Sequence, residues 1–158
     1  MNDCTDVRRP VVVGVDGSAA SRAALRWAAR QALGDRATVI AVEVYRPAWL
    51  APSLSYAALS YGAARPTGPV VPPEPRMPPM VAALPDDERA VVTQVHDEGD
   101  PAGVLLEHAD AASMLVLGHT QHGRLARLLA GSVASDCLRH ARCPVVLVPA
   151  TDNPDRLG

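Results

Sequence analysis

The chain has 158 residues, of which 48% are hydrophobic, and its formal net charge at pH 7 is −2. This length and composition predict one domain with an ordinary core, and the small net charge offers no polybasic surface for nucleic acid or an anionic membrane. The chain contains no lysine, which excludes the Walker phosphate loop and enzymes that form a lysine Schiff base.

Apolar runs alternate with amphipathic stretches over most of the chain. In chain order, the sequence predicts a strand at Val11–Val15, a helix at Ala19–Leu33, strands at Thr38–Val44 and Ala90–Val95, a helix from Pro101 to about Ala112, a strand at Met114–Leu117, a helix from Ser132 to about Ala141 and a strand at Pro144–Pro149. Continuous runs of Val and Leu are typical of strands that are buried on both faces. The alternation predicts an open parallel five-stranded α/β sheet with helices on both faces, a Rossmann-like arrangement.

Two of the predicted helices carry boundary signals. Asp16 or Ser18 can cap the N-terminus of the first helix, and Gly34 is expected to end it at the C′ position. Asp100 followed by Pro101 predicts the start of the second helix, because Pro is favoured at the first helical position.

The stretch from Arg46 to Pro85 interrupts this pattern and holds ten of the fifteen prolines. Pro cannot continue a helix and restrains the preceding residue to extended geometry. We interpret residues 46–85 as an irregular, solvent-exposed insertion in which Leu54–Leu59 and Met80–Leu84 could each form a helical turn. A lid or a partner-docking segment is the alternative. The predicted domain spans residues 9–150, and a polar tail follows at 151–158.

The loop after the fourth predicted strand has the composition of a phosphate-binding loop. Gly118 ends the strand, and Gly131-Ser132 begins the last helix. Glycine allows the backbone to approach an anion closely, and a helix N-terminus presents unpaired N–H groups and the positive end of a dipole. Asp16-Gly17 and Val44 are expected nearby, because they end other parallel strands at the same edge of the sheet.

Several short motifs resemble those of the universal stress protein family, and the resemblance covers Val11–Pro149. The motifs are Val13–Ser18, Glu98–Pro101, Val116–Gly118, Gly131–Val133 and Arg142–Val145. The resemblance implies a fold like that of the adenine nucleotide alpha hydrolases. ATP-binding members of the family carry Gly-x2-Gly-x9-Gly-Ser/Thr, and here Gln121 occupies the place of the second glycine.

The resemblance also implies roles in nucleotide binding. The residues it implies are Asp16, Gly17, Val44, Gly118, Gln121, Gly123, Gly131, Ser132 and Val133. Asp16 would accept hydrogen bonds from the adenosine, and Val44 would pack beside the adenine. Gly118 would let the backbone pass under the phosphates, and residues 131–133 would offer N–H groups and a hydroxyl to them.

Gln121 leaves two interpretations open. A non-glycine residue in a left-handed conformation costs roughly 1–2 kcal/mol, and the Gln121 side chain could fill space that the phosphates need. Alternatively, the Gln121 amide donates to a phosphate and Gly123 supplies the backbone freedom. Arg124 and Arg127 keep the loop electropositive in either case.

The leading hypothesis is an ATP-binding regulatory module of the stress response with little or no turnover, because no general base is evident beside the loop. The resemblance implies ATP, with Mg²⁺ as an optional companion, and a homodimer formed through the last strand at 145–149. The alternatives are an interaction or scaffold protein that no longer binds nucleotide, and a slow hydrolase. No catalytic or metal-binding residue is expected.

Cysteine usage and hydropathy predict the setting. Cys4, Cys137 and Cys143 are scattered, lack partners at zinc-ligand spacing and are expected to be reduced thiols in a cytoplasmic protein. The polar start at Met1–Asp6 is unlike a signal peptide, and no apolar run approaches the roughly 20 residues of a membrane span.

Overall fold

The computed structural model describes residues 8–46, 74–119 and 132–150. In chain order the elements are β1 Val11–Val15, α1 Ala19–Asp35, β2 Val39–Tyr45, α2 Met77–Ala82, α3 Asp86–Ala90, β3 Val92–Glu98, α4 Pro101–Ala109, β4 Met114–His119, α5 Ser132–His140 and β5 Val145–Pro149. The strands form one sheet in the order β3-β2-β1-β4-β5, and every neighbouring pair is parallel. The predicted open five-stranded parallel sheet is confirmed.

The core has one apolar layer on each face of the sheet. Val11, Val13 and Val15 of β1 point into the layer covered by α1 and α2. Val12 points the other way, into the layer covered by α4 and α5. Side chains alternate along a strand, so a continuous apolar run serves both layers, as the sequence predicted.

Helix α1 begins as expected but ends later than Gly34. The Ser18 hydroxyl accepts a hydrogen bond from the Ser21 N–H at 3.1 Å, so Ser18 is the N-cap. The prediction that Gly34 ends the helix is wrong, because the turn continues to Asp35 and Arg36 adopts the left-handed conformation with φ of 54°. After the helix, the Ala37 N–H donates a hydrogen bond to the Ala32 carbonyl oxygen at 2.8 Å, and Ala37 is buried. These two contacts of Ala37 accompany the end of the helix.

The segment before β3 is more regular than its prolines suggest. The predicted helical turn at Met80–Leu84 lies instead at Met77–Ala82, and Met77, Met80 and Val81 are buried beside α1. Two prolines are tolerated there because the first turn of a helix needs no N–H donors. A further short helix occupies residues 86–90, so the third strand starts at Val92 rather than Ala90. The rest of the proposed insertion (residues 47–73), the second helical turn proposed within it at 54–59, and the tail 151–158 lie outside the described residues.

A buried carboxylate ties α3 to α1. The side chain of Glu88 is 7% exposed, and its Oε1 lies 3.1 Å from Nε of Arg30. Oε2 of Glu88 lies 3.9 Å from Nε of Arg26. These ion pairs hold the region between β2 and β3 against the first helix, where a full crossover helix is expected in a fold of this type.

The strand order creates a crevice at one edge of the sheet. From β1 the chain moves through α1 to β2 on one side, whereas β4 pairs with β1 on the other side. The carboxyl ends of β1 and β4 therefore lie at the point where the strand order reverses, which is where open α/β sheets bind ligands.

Candidate functional site

A cavity of about 360 Å³ opens at the carboxyl ends of β1, β2 and β4. The starts of α4 and α5 close its far side. The predicted site residues that line it are Asp16, Val44, Gly118, Ser132 and Val133. They come from two strands, the turn after β1 and one helix, and the parallel topology brings them together at the carboxyl ends of the strands.

The other predicted site residues are placed differently. Gly17 adopts a φ of 84° next to the cavity and does not line it, because the side chain of Arg76 covers it. Gln121, Gly123 and Gly131 lie outside the described residues, so their predicted roles stay predictions.

One wall of the cavity is apolar. Val42 and Val44 line it from β2, and Leu105 and Leu117 line it from α4 and β4. Gly14 makes room for this wall, because a Cβ at that position would lie 2.9 Å from Cδ2 of Leu117 and 3.2 Å from Cδ1 of Leu105. Ligand pockets commonly combine such an apolar wall with a few placed polar groups.

Asp16 supplies the negative charge in the lining of the cavity. Its Oδ1 accepts a hydrogen bond from the Ser18 N–H at 2.9 Å, which fixes the turn between β1 and α1. Partial withdrawal from water raises the pKa of Asp16, but hydrogen bonds from the Ser18 hydroxyl and N–H and from the Ser21 hydroxyl outweigh this effect and hold the pKa below its ordinary value. The carboxylate is therefore ionised at neutral pH and available as a hydrogen-bond acceptor.

Gly118 has a structural reason to be glycine. A Cβ at this position would lie 2.4 Å from the carbonyl carbon of Ala20 and 2.5 Å from the backbone nitrogen of Ser21. Any side chain on β4 at this point would push the first turn of α1 away from the sheet. The glycine thus serves packing, whether or not it also serves a ligand.

The α5 end of the cavity is polar but carries little charge. Ser132 is the first residue of α5, and helix N-termini attract anions through their unpaired N–H groups. Among the described lining residues, Asp16 is the one carboxylate, and no arginine is present. No group of three or more His, Cys, Asp or Glu side chains in residues 8–46, 74–119 and 132–150 could hold a metal ion.

Sequence reasoning missed two kinds of residue. Gly14 and Leu105 line the cavity. The only sequence signal for them was Gly14 itself, a glycine inside an otherwise β-branched strand. Glu43 and Arg76 lie just outside it and connect its edge to α2. An acidic residue inside a buried strand was the available signal for Glu43, because such a carboxylate needs partners.

None of the helices that the structure describes is long and apolar enough to cross a membrane. Cys137 and Cys143 carry free thiols. Cys137 is fully buried. This burial and, to a smaller extent, the nearby charge of Asp136 raise the pKa of its thiol to about 11. It acts as a small apolar core residue.

The fold and the cavity define an open parallel α/β protein with a ligand crevice at the switch point of its sheet. A family model described as the Universal stress protein family matches residues 8–149. The chain belongs to that family, and its fold is the adenine nucleotide alpha hydrolase-like fold. The resemblance stated from the sequence motifs is confirmed.

Curated relatives come from mycobacteria. Universal stress protein Rv2623 of Mycobacterium tuberculosis H37Rv is 32% identical over 166 residues, which cover 90% of this chain and 48% of that protein. Universal stress protein Rv1996 of the same strain is 31% identical, over 92% of this chain and 50% of that protein. The chain thus spans about half the length of the curated relatives it matches.

Solved structures share the fold. A universal stress protein in complex with cAMP is 25% identical, with a TM-score of 0.58 over 92% of this chain and 100% of that one. A universal stress protein from Archaeoglobus fulgidus in complex with dAMP is 19% identical, with a TM-score of 0.59 over 90% of this chain and 98% of that one. The second likeness, at its low identity, concerns the fold alone.

Proposed function

We propose that this chain binds an adenine nucleotide in the cavity at the carboxyl edge of its sheet. In this proposal it acts as a regulatory module of the stress response, with little or no turnover. The observation that carries the proposal is the meeting of an apolar wall, an ionised carboxylate and a helix N-terminus around one cavity. Each of these features matches a different part of a nucleotide.

The apolar wall suits the base. Val42 and Val44 offer β-branched surface from one strand, and Leu105 faces them from α4. Burial of apolar surface contributes about 25 cal/mol for each Å² removed from water. A purine packed between these side chains is therefore stabilised without any charged contact.

Asp16 and α5 suit the sugar and the phosphate. The ionised Asp16 carboxylate can accept hydrogen bonds from ribose hydroxyls or from an exocyclic amine, but it repels phosphate. The N-terminus of α5 at Ser132 can receive the phosphate on the other side of the cavity. The ligand is thereby oriented with its sugar toward β1 and its phosphate toward α5.

ATP, with Mg²⁺ as an optional companion, is the nucleotide that the motif from Gly118 to Ser132 suggests, and cAMP is suggested by the related complex. No described arginine lines the cavity, so a triphosphate would depend on Mg²⁺ or on groups in residues 120–131. Little or no turnover is proposed on the family resemblance; among the described lining residues, Asp16 and His119 are the side chains that could accept a proton from an attacking water.

Two measurements test this function. Protein purified without added nucleotide is denatured, and the supernatant is analysed by mass spectrometry for ATP, ADP, AMP and cAMP. Titration calorimetry then measures the affinity for each nucleotide and for GTP as a control. Binding of an adenine nucleotide in preference to GTP supports the proposal, whereas no released nucleotide and no heat of binding would overturn it.

A second candidate is an interaction protein of the same fold that has lost nucleotide binding. Gln121 in the place of the second motif glycine favours it, as does the lack of an arginine among the described lining residues of the cavity. The two candidates differ in thermal unfolding, because a ligand that binds only the folded state raises Tm. An unchanged Tm at millimolar concentrations of every nucleotide supports the interaction protein.

The proposal includes a homodimer formed through β5. Within the described chain, β5 pairs only with β4 and presents its other edge outward. Val145, Val146 and Leu147 are only partly buried there. An open apolar edge strand is a template for pairing with a second copy.

The free thiols further suit a reducing compartment such as the cytoplasm.

A further inference from the structure

Arg76 connects helix α2 to the turn that carries Asp16. Its Nη1 donates a hydrogen bond to the carbonyl oxygen of Asp16 at 3.0 Å. Its aliphatic stem lies over Gly17, where a Cβ would come within 2.6 Å of Cδ and 3.1 Å of Cβ of Arg76. The contact joins residues that are 60 positions apart in the sequence, and it places a cation directly against the backbone of the proposed binding turn.

The backbone of Arg76 is itself held in place. Oε1 of Glu43 accepts a hydrogen bond from the Arg76 N–H at 2.9 Å, and Oε2 accepts one from the Met77 N–H at 3.0 Å. Met77 is fully buried in the layer beneath α1. Glu43 lies on β2 between Val42 and Val44, which both line the cavity. The arginine therefore extends from a fixed anchor on β2 to the turn on β1.

The turn contains a residue with a positive φ, so its backbone has more than one accessible conformation. Gly17 has a φ of 84°, a value that glycine adopts readily but does not favour over other conformations. Within the turn, the Asp16 carboxylate is oriented by the Ser18 N–H and by the Ser18 and Ser21 hydroxyls, while Arg76 holds the backbone carbonyl of the same residue. Arg76 is exposed to solvent, so its contribution to core packing is small.

We propose that Arg76 is a positioning residue that holds the Asp16–Gly17 turn in the conformation that presents the Asp16 carboxylate to an adenine nucleotide. The inference rests on the proposed function for its ligand. It adds a residue that neither lines the cavity nor belongs to the motifs. Arg76 acts on the nucleotide only through the backbone of Asp16.

The first test uses the protein without ligand. In Arg76→Met the unbranched stem stays over Gly17 and the donor is lost, whereas Arg76→Lys keeps a donor. Arg89→Met is the matched control, because Arg89 contacts Ala82 and Asp86 in the same region and does not touch the turn. The measurement is the backbone ¹⁵N order parameter of residues 17 and 18.

Wild-type protein should give order parameters of about 0.85 at both positions, typical of rigid backbone. Arg76→Met should lower them toward about 0.6, the range of flexible backbone, while leaving the rest of the sheet unchanged. Arg76→Lys should restore most of the order, and Arg89→Met should behave as wild type. Unchanged values in Arg76→Met, or a loss of order throughout the domain, would overturn the proposal.

The second test measures affinity for AMP by titration calorimetry. We expect Arg76→Met to weaken binding about fivefold, the effect of losing one hydrogen bond, and Arg76→Lys to recover at least half of the loss on a logarithmic scale. Equal affinity of wild type and Arg76→Met would contradict the positioning role. An absence of AMP binding in the wild type would instead contradict the proposed function, while the order parameters still decide whether Arg76 holds the turn.

Discussion

Gly118 of β4 and Ala20 of α1 approach so closely that a Cβ on Gly118 would lie 2.4 Å from the Ala20 carbonyl carbon. The contact is between backbone atoms, so no side chain can rotate to relieve it. Gly118→Ala should therefore destabilise the protein by about 3 kcal/mol, at the upper end of the range for overpacked cores. Urea unfolding checks this value.

A second glycine offers the control. Gly34 lies inside α1, and a Cβ there would meet no atom within 4 Å. Gly34→Ala should stabilise the protein by up to about 1 kcal/mol, the difference in helix propensity between the two residues. Equal stability of Gly118→Ala and wild type would show that α1 can shift away from the sheet at little cost. If a Gly118 variant fails to bind nucleotide, its free energy of unfolding must also be measured, because an unfolded variant would not bind either.

Asp16→Asn should weaken the binding of an adenine nucleotide about tenfold. The amide keeps one acceptor oxygen but loses the charge that strengthens hydrogen bonds from sugar hydroxyls, and one such bond is worth about 1.5 kcal/mol more than none. Asp35→Asn is the control, because Asp35 is an exposed carboxylate at the other end of α1. Calorimetry with AMP measures both, and equal losses in the two variants would exclude a direct role for Asp16.

Gln121→Gly should raise the affinity for ATP. The substitution restores the motif spacing from Gly118 to Gly131, removes a side chain from the phosphate loop and removes a cost of roughly 1–2 kcal/mol if residue 121 is left-handed. The expected gain is about tenfold, measured by titration with ATP and Mg²⁺. A decrease in affinity would support the alternative in which the Gln121 amide donates to a phosphate.

Cys137 should make stability fall in alkaline solution. Burial raises its folded-state pKa to about 11 from an ordinary value of 9.0. As the pH rises above 9, the Cys137 thiol loses its proton in the unfolded chain but keeps it in the folded protein. The free energy of unfolding therefore decreases between about pH 9 and pH 11 and is unaffected by this thiol below pH 9. At about pH 10.5 the loss is about 2 kcal/mol.

Cys137→Ala isolates this effect from other groups that titrate in the same range. The variant starts from a lower stability, because a buried side chain has been shortened. Its difference from wild type should shrink by about 2 kcal/mol between about pH 8 and pH 10.5. A constant difference in urea unfolding would mean that Cys137 titrates normally in the folded protein.

Val145→Lys should convert a β5-paired dimer into monomer. Val145 lies on the outward edge strand and is half-buried, and a charge on an edge strand opposes pairing with another chain. Val95→Lys is the control, because Val95 lies on the opposite edge strand β3 and packs into the same layer. Light scattering should give a halved mass for the first variant only. A monomeric wild type would remove the dimer from the proposal.

The fold was predictable because its signals are local. The run Val11–Val15 alternates between two apolar layers, and that requirement makes every residue of the run apolar. Asp16 and Val44 could be expected at one edge from the parallel arrangement alone. Residues 131–133 gained their proposed role only through their distance from Gly118.

The connection through Arg76 could not be predicted in this way. Arg76 contacts Gly17 because α2 packs under α1, and that packing depends on Met77 and Met80, whose spacing is interrupted by prolines. Glu43 stands out as an acidic residue inside a buried strand, but the sequence does not say which N–H groups it binds. Long-range contacts of polar side chains leave no periodic signal in a sequence.

The central position of β1 also affects how the chain is made. Val11 pairs with Val39 on one side and with Met114 on the other, so the hydrogen bonds between β1 and β4 wait for a strand that is synthesised much later. During synthesis the unit β1-α1-β2 can assemble early while its β4-facing edge, rich in valine, stays open. Unpaired apolar edges promote aggregation. The nascent chain therefore keeps this edge of β1 open until β4 has been synthesised.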